Sequence, residues 1–436
     1  MRFEPVDEVA VSADHGRVYE EGWQSWSPTA WYDVGQTSAR PALEWQHLMR
    51  FRPGTELPAA GFQASGLLVV EPGTGEPARV YGADDARDEV PTVRAEVVGG
   101  RLLVSSDGPV TVRTADDGAA GLAAFGDRFA TGAGGGVPRP APTVWCSWYR
   151  YFLDVTERDV LENLDALAAA RLPVDVVQID DGWQAGIGDW TTLSARFTSL
   201  TRLADRIRAT GRRAGIWLAP FVVGADSELA REHPDWLVGD AGTNWDQQLH
   251  GLDLTHPGAR DYLREVFAAL RSAGFDYFKL DFLYAGAVPG TRHGPETAVA
   301  AYASGLALIR EAAGPDAYLL GCGAPILPSV GLVDAMRVSP DTFHPEGQDG
   351  SRGLRGAPAV VARAWQHGRF WVNDPDCLVA RPSFVLREEW AAVIERYGGL
   401  RSCSDRIADL DEWGLTTTRR LLSTVPAPEP FVRREP

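Results

Sequence analysis

Lysine is almost missing from this chain: of its 42 basic side chains, all but Lys279 are arginine. Asparagine is nearly as scarce, with only Asn163, Asn244 and Asn373. Such a bias fits a GC-rich coding background in which arginine replaces lysine wherever it can serve. A lysine that survives there fills a place arginine cannot, because a compact ammonium enters a narrow polar pocket that rejects a broad planar guanidinium. Long apolar runs are also lacking, and no stretch is long enough to span a bilayer. The opening residues, Met1-Arg-Phe-Glu-Pro-Val-Asp-Glu8, show no charged segment followed by an apolar one, so no secretory signal is expected. Cysteine is limited to Cys146, Cys322, Cys377 and Cys403, with neither metal-site spacing nor the density of a disulfide framework. The expected setting is the cytoplasm, with no metal and no other cofactor. The formal net charge of -17 argues against nucleic acid and anionic membranes as partners and fits a small neutral substrate.

What is present divides the chain. A length of 436 residues suits one large barrel with an accessory domain. Residues 1–135 read as short strands punctuated by turns, such as Gly66-Leu-Leu-Val-Val-Glu71 before Pro72-Gly-Thr-Gly75, and predict an all-β, sandwich-like N-terminal domain. A glycine- and proline-rich linker occupies 136–142. From 143 to 422, apolar strand-like runs alternate with helical stretches. The runs are 143–148, 174–181, 213–220, 251–254, 275–282, 317–323, 335–341 and 370–376, of which 251–254 carries the weakest signal. Eight such units predict an α/β fold, a (β/α)8 TIM barrel. Residues 423–436 form a tail.

A barrel of this kind works at the C-terminal ends of its strands. The polar and aromatic residues of this chain gather at those predicted ends: Trp148 and Tyr149, Asp180 and Asp181, Trp217, Lys279 and Asp281, Cys322, Arg337 and Asp341, and then Asn373, Asp374 and Asp376. Lys279 and Asp281 lie two apart, so on a strand they share a face. Several carboxylates with many aromatics and no metal-ligand cluster point to sugar chemistry. Aromatic faces cover the C–H faces of a pyranose, carboxylates grip its hydroxyls, and two further carboxylates can cleave a glycosidic bond. One must stay ionised, which a nearby ammonium favours, and the other must hold a proton.

Seven motifs occur in order: Trp145-Cys-Ser-Trp-Tyr-Arg-Tyr-Phe152, Gln178-Ile-Asp-Asp-Gly-Trp183, Gly215-Ile-Trp-Leu-Ala-Pro220, Lys279-Leu-Asp281, Gly321-Cys-Gly-Ala-Pro325, Arg337-Val-Ser-Pro-Asp-Thr342 and Asn373-Asp-Pro-Asp376. Together they resemble the α-galactosidases of glycoside hydrolase family 36, the melibiase group, over about residues 20–410, and Gly22-Trp-Gln-Ser-Trp-Ser27 resembles that group's β-domain. The resemblance implies a retaining exo-α-galactosidase with Asp281 as nucleophile and Asp341 as acid/base. Asp180 and Asp181 would hold the 4- and 6-hydroxyls beside Trp217. Lys279 would donate to the 3- and 4-hydroxyls, Arg337 would serve the 2-hydroxyl side, and Cys322 would lie near the 2-position. Trp148 and Tyr149 would shape the rim, and Trp23 or Trp26 would reach over from the β-domain. Asn373, Asp374 and Asp376 are expected to orient Arg337 or close the barrel.

Family members usually continue into a C-terminal β-sandwich, which the short tail cannot form, so a monomer or small homo-oligomer is expected. An α-N-acetylgalactosaminidase and a transglycosylating relative would use the same residues. A catalytically inactive sugar-binding homologue is a reading from another class, opposed by the presence of both carboxylates. A phosphate-binding isomerase would want a glycine-rich loop that 340–345 and 375–377 do not offer.

Overall fold

The structure is a computed structural model and describes residues 2–41, 43–344 and 347–431. Residues 432–436 of the expected tail, and Pro345 of the turn at 340–345, lie outside the described residues.

Alternating apolar positions build the N-terminal domain. Strands Glu4–Ala10, Arg101–Ser106, Thr92–Val98 and Phe62–Ser65 form one antiparallel sheet in that order. Strands Ala30–Asp33, Arg17–Glu20, Leu67–Glu71, Ala78–Gly82 and Thr111–Ala115 form a second. Every second residue points inward, so Val9, Phe62, Val93, Leu102 and Val104 meet Val18, Leu68, Val70 and Tyr81 in one core, which is a sandwich. The all-β expectation for 1–135 overlooked a short helix, Glu44–Arg50, and the longer helix Gly118–Gly132. Its glycines and alanines hide the helical signal, yet Leu122, Phe125 and Phe129 recur on one buried face and Asp117 caps the start by accepting from the Ala120 N–H. At Gly121 a Cβ would come within 2.6 Å of Val80 Cγ2, so the missing side chain sets how close helix and sheet approach. Phe125 and Phe129 then reach the barrel at Trp365 and Phe370.

The barrel strands are β1 (Thr143–Cys146), β2 (Val176–Ile179), β3 (Arg213–Leu218), β4 (Phe275–Leu280), β5 (Tyr318–Gly321), β6 (Ala335–Arg337), β7 (Val372–Asp374) and β8 (Arg401–Cys403). All adjacent pairs from β1 to β7 run parallel, and β8 pairs parallel with β1, Val144 opposite Ser402. Closure between β7 and β8 comes from the N–H groups of Gly399 and Leu400, which both donate to the Asn373 carbonyl, and from a bridge between Leu378 and Cys403.

Two strand assignments therefore change. The run at 251–254 is not a barrel strand. Gln247–Leu252 pairs antiparallel with Val222–Gly224 and Leu237–Asn244 in a small sheet inserted between β3 and β4. The eighth strand is Arg401–Cys403, and 370–376 supplies the seventh. A three-residue strand with a single apolar side chain has no periodicity to read, whereas the hairpin's alternation imitates a barrel strand.

Inside the barrel, Val144, Val176, Tyr277, Tyr318, Leu320, Ala335 and Val372 form a packed plug, with the Tyr277 and Tyr318 rings stacked at 5.7 Å. Two residues further along each strand the inward face turns polar: Val144 leads to Cys146, Val176 to Gln178 and Asp180, Tyr277 to Lys279 and Asp281. The period-2 rule thus carries these polar groups to the top of the plug.

Candidate active site

A cavity of about 580 Å³ opens above the strand ends. Trp148, Tyr149, Asp180, Asp181, Trp217, Lys279, Asp281 and Asp341 all line it, and Trp26 enters from the N-terminal domain. The site is held on its floor by hydrogen bonds among buried groups. Lys279 Nζ donates to Asp180 Oδ2 at 3.0 Å and lies 3.9 Å from Asp281 Oδ2. Burial opposes its charge, but the Asp180 and Asp281 carboxylates outweigh that and hold the ammonium well above its ordinary pKa. Asp180 Oδ2 also accepts from Gln178 Nε2 at 2.6 Å and from the Cys146 thiol at 3.3 Å, and Oδ1 accepts the Asp181 N–H at 3.0 Å. An arginine at 279 would need room for a planar fork inside this set, which explains the lone lysine.

Asp281 follows β4 and is 7% exposed. Trp217 Nε1 donates to its Oδ2 at 2.9 Å, and the Phe282 N–H donates to Oδ1 at 2.9 Å. The second bond goes with a left-handed Phe282, φ 51°, a conformation uncommon for a bulky residue and typical of sites under functional constraint. Trp26 packs edge-on against the Phe282 ring at 4.9 Å. It fits because Gly323, at φ +55°, has no Cβ to strike the indole.

Asp181 is buried, with Gln184 Nε2 at 2.6 Å from Oδ1 and Trp245 Nε1 at 2.8 Å from Oδ2. Burial pushes its pKa up to about 6, aided by the Asp180 and Asp281 charges and opposed by the two hydrogen bonds. Trp245 carries no sequence motif and was not anticipated. It occupies the two-residue turn of the inserted hairpin with Asp246, both at positive φ (50° and 57°), where Asn-Gly is the usual choice. A tryptophan at such a turn, between alternating strands, was the available signal.

Asp341 stands in contrast, its side chain 45% exposed at the cavity wall. Arg337 Nη2 reaches its Oδ1 at 3.2 Å and also binds Asp376 Oδ2. Asp376 is the hub of this side. Its Oδ2 further accepts from the Tyr149 hydroxyl, from the Thr342 N–H at 2.9 Å and from Thr342 Oγ1 at 2.6 Å. Its backbone is held at φ 109°. Burial raises Asp376 to about 6 against the pull of Arg337. Burial, with the Asp341 and Asp376 charges, keeps the Tyr149 phenol far above its ordinary range and therefore a donor.

Three expected residues stay off the wall. Arg337 and Cys322 lie beneath it, 2% and 1% exposed. Trp23 packs under Arg52 at 5.0 Å, between domain and barrel, so Trp26 is the tryptophan that enters. Asn373 donates to the Arg363 carbonyl at 2.9 Å, and Asp374 Oδ1 accepts from the Asp376 N–H at 3.0 Å. The segment bearing Trp26 is fixed by fully buried Arg363, which pairs with Glu21 at 2.8 Å and donates to the Gln24 and Ser25 carbonyls. Those bonds are internal, so they set geometry rather than supply large net stability.

A sandwich placed before a (β/α)8 barrel, with carboxylates, one ammonium and indoles around a pocket at the strand ends, defines a barrel protein of the glycoside hydrolase class. The melibiase family profile matches residues 137–309. TtGalA, an α-galactosidase from Thermus thermophilus solved with p-nitrophenyl α-D-galactopyranoside, superposes with a TM-score of 0.80 at 30% identity, covering 97% of this chain and 89% of that one. The chain belongs to the glycoside hydrolase family 36 α-galactosidases, the melibiase family. AgaA of Geobacillus stearothermophilus shares the fold, with a TM-score of 0.63 at 16% identity over 95% of this chain and 61% of that one. Among curated sequences, the bifunctional α-galactosidase/sucrose kinase AgaSK of Mediterraneibacter gnavus is 31% identical over 151 residues, 32% of this chain. The Escherichia coli α-galactosidase is 33% identical over 124 residues, 26% of this chain. These matched segments span only 16% and 18% of the respective relatives.

Proposed function

We propose that this protein hydrolyses terminal α-linked galactose from small galactosides with net retention, by double displacement. The observation that carries this reading is the pairing, across one cavity, of a buried and hydrogen-bonded Asp281 with a half-exposed Asp341. Asp281 attacks the anomeric carbon and the C–O bond to the leaving group breaks. Asp341 gives its proton to the departing oxygen. Water then enters, loses a proton to Asp341 and displaces Asp281, which leaves with its electron pair and restores the enzyme. Retaining enzymes hold these carboxyls roughly 5–5.5 Å apart, which is the separation expected here.

The floor residues bind the sugar in this reading. Asp180 and Asp181 accept from the 4- and 6-hydroxyls, Lys279 donates to the 3- and 4-hydroxyls, and Trp217 forms the wall. Trp217 Nε1 and the Phe282 N–H also fix the attacking carboxylate, which limits the reorganisation the reaction requires. Arg337, already shared by Asp341 and Asp376, orients the acid/base. Complexes of TtGalA with the nitrophenyl galactoside and with stachyose support galactosides as the substrate class. Four nitrophenyl glycosides test the reading: α-galactoside, α-N-acetylgalactosaminide, α-glucoside and β-galactoside. Turnover of the first is expected. Turnover of the second instead would move the specificity at the 2-position, and silence on all four from folded protein would favour an inactive sugar-binding homologue.

A further inference from the structure

The outer part of the cavity carries a charge that the reaction described above does not use. Arg50, the last residue of helix Glu44–Arg50, and Arg355, beyond Asp341, both line it. They come from different domains and lie near enough that the Arg355 charge adds to burial in drawing Arg50 down to about 10. Among the described residues neither forms an ion pair, and the Arg50 side chain makes one hydrogen bond, from Nε to the Trp26 carbonyl at 3.3 Å. The acid of the inserted hairpin tip, Asp246, lines the same cavity without pairing to either. In a chain with 59 acids against 42 bases, two neighbouring cations with no ion-paired carboxylate among the described residues are an expensive arrangement that a single acid would relieve.

Their location says what they would meet. The Arg355 N–H donates to the Thr342 carbonyl at 2.9 Å, and Phe343 bridges Leu354. Arg355 is therefore built onto the segment that carries Asp341. The leaving oxygen has to meet Asp341, and Phe343, Arg50 and Arg355 line the same cavity as Asp341.

We infer that the leaving-group side of this cavity takes an anionic aglycone, an α-galactoside whose departing part carries a carboxylate or a phosphate, held between Arg50 and Arg355. The inference rests on the α-galactosidase reading above. Guanidinium groups bind both anions through paired N–H donors, and such charge-assisted bonds are about twice as strong as neutral ones.

The test compares 4-carboxyphenyl α-galactoside with its methyl ester, which differ in charge at one place. At low salt, kcat/KM is expected to favour the carboxylate by about tenfold. That ratio should shrink as NaCl is raised and collapse toward one in both Arg50→Gln and Arg355→Gln. A ratio at or below one in the unaltered protein would overturn the inference and leave the α-galactosidase reading standing, since the ester would still turn over. A ratio that survives both substitutions would also overturn it. No turnover of either compound would sink both readings. Galactosides of glucuronic acid and of glucose 6-phosphate then distinguish the source of the anion: preference for one over the other assigns carboxylate or phosphate, and preference for neither over neutral melibiose contradicts the inference.

Discussion

Asp281 and Asp341 border the same cavity under opposite constraint. Asp281 is 7% exposed, and both its oxygens are occupied by donors from Trp217 and the Phe282 backbone. Asp341 has a 45% exposed side chain and, among the described residues, one side-chain partner, an arginine that also serves Asp376. The difference matches what double displacement demands. A nucleophile must wait ionised at a fixed point, whereas an acid/base exchanges protons with the leaving group and with water and so needs access to solvent. Asp281 is held from its own segment by the Phe282 N–H and from the neighbouring strand by Trp217; order around Asp341 is borrowed from Asp376 on the next strand end.

The sharpest way to break this contrast is to remove the proposed nucleophile. Asp281→Ala should lower kcat on the order of 10⁴-fold or more, and azide should then yield the β-galactosyl azide; near-normal rates would reject the assignment. Asp341→Asn should cost on the order of 10²–10⁴-fold in kcat/KM on melibiose, and much less on the nitrophenyl galactoside, whose leaving group needs little protonation. Equal losses on both substrates would mean Asp341 is not the acid. Lys279→Arg keeps the charge but not the shape, and kcat/KM should fall about 10²-fold. Unchanged kinetics would make the lone lysine an accident of composition. Asp376→Asn should lower kcat/KM about tenfold through misplacement of Asp341, with the same bias against poor leaving groups. A loss uniform across substrates would reduce Asp376 to a fold-holding role.

The smallest effect is in pH. Burial holds Asp181 and Asp376 at about 6, above the ordinary 3.8. A raised folded-state pKa adds stability that is complete below 3.8 and lost as pH rises through about 6. The two groups therefore favour the folded state toward acid, while a sugar-binding carboxylate is needed ionised, so activity should rise with pH over the window in which their stability contribution falls. Thermal melts and kcat/KM followed from pH 4.5 to 7 check this, and Asp181→Asn should flatten part of both trends. Parallel rises in stability and activity would contradict it.

The sequence made much of this visible, for identifiable reasons. Lys279 stood out because composition had removed every other lysine. Asp180, Asp181, Asp281 and Asp341 could be placed on one cavity because strand ends can be read from apolar runs and these carboxylates lie within a few residues of them. What escaped notice depended on tertiary context. Arg401–Cys403 is too short to show a period, and its pairing with Thr143–Cys146 is a contact across more than 250 residues. Trp245 sits in a turn whose strands look like any hairpin, and only the folded chain brings its indole to Asp181. Trp23 and Trp26 lie three apart in one motif, and which enters the cavity is decided by how Arg363 grips the chain between them.

The most direct measurement of the central claim is a proton NMR time course of p-nitrophenyl α-galactoside hydrolysis. The mechanism assigned to Asp281 and Asp341 predicts that α-galactose appears first and only later mutarotates to the β-anomer. First appearance of β-galactose would mean inversion, and would remove Asp281 as a covalent nucleophile.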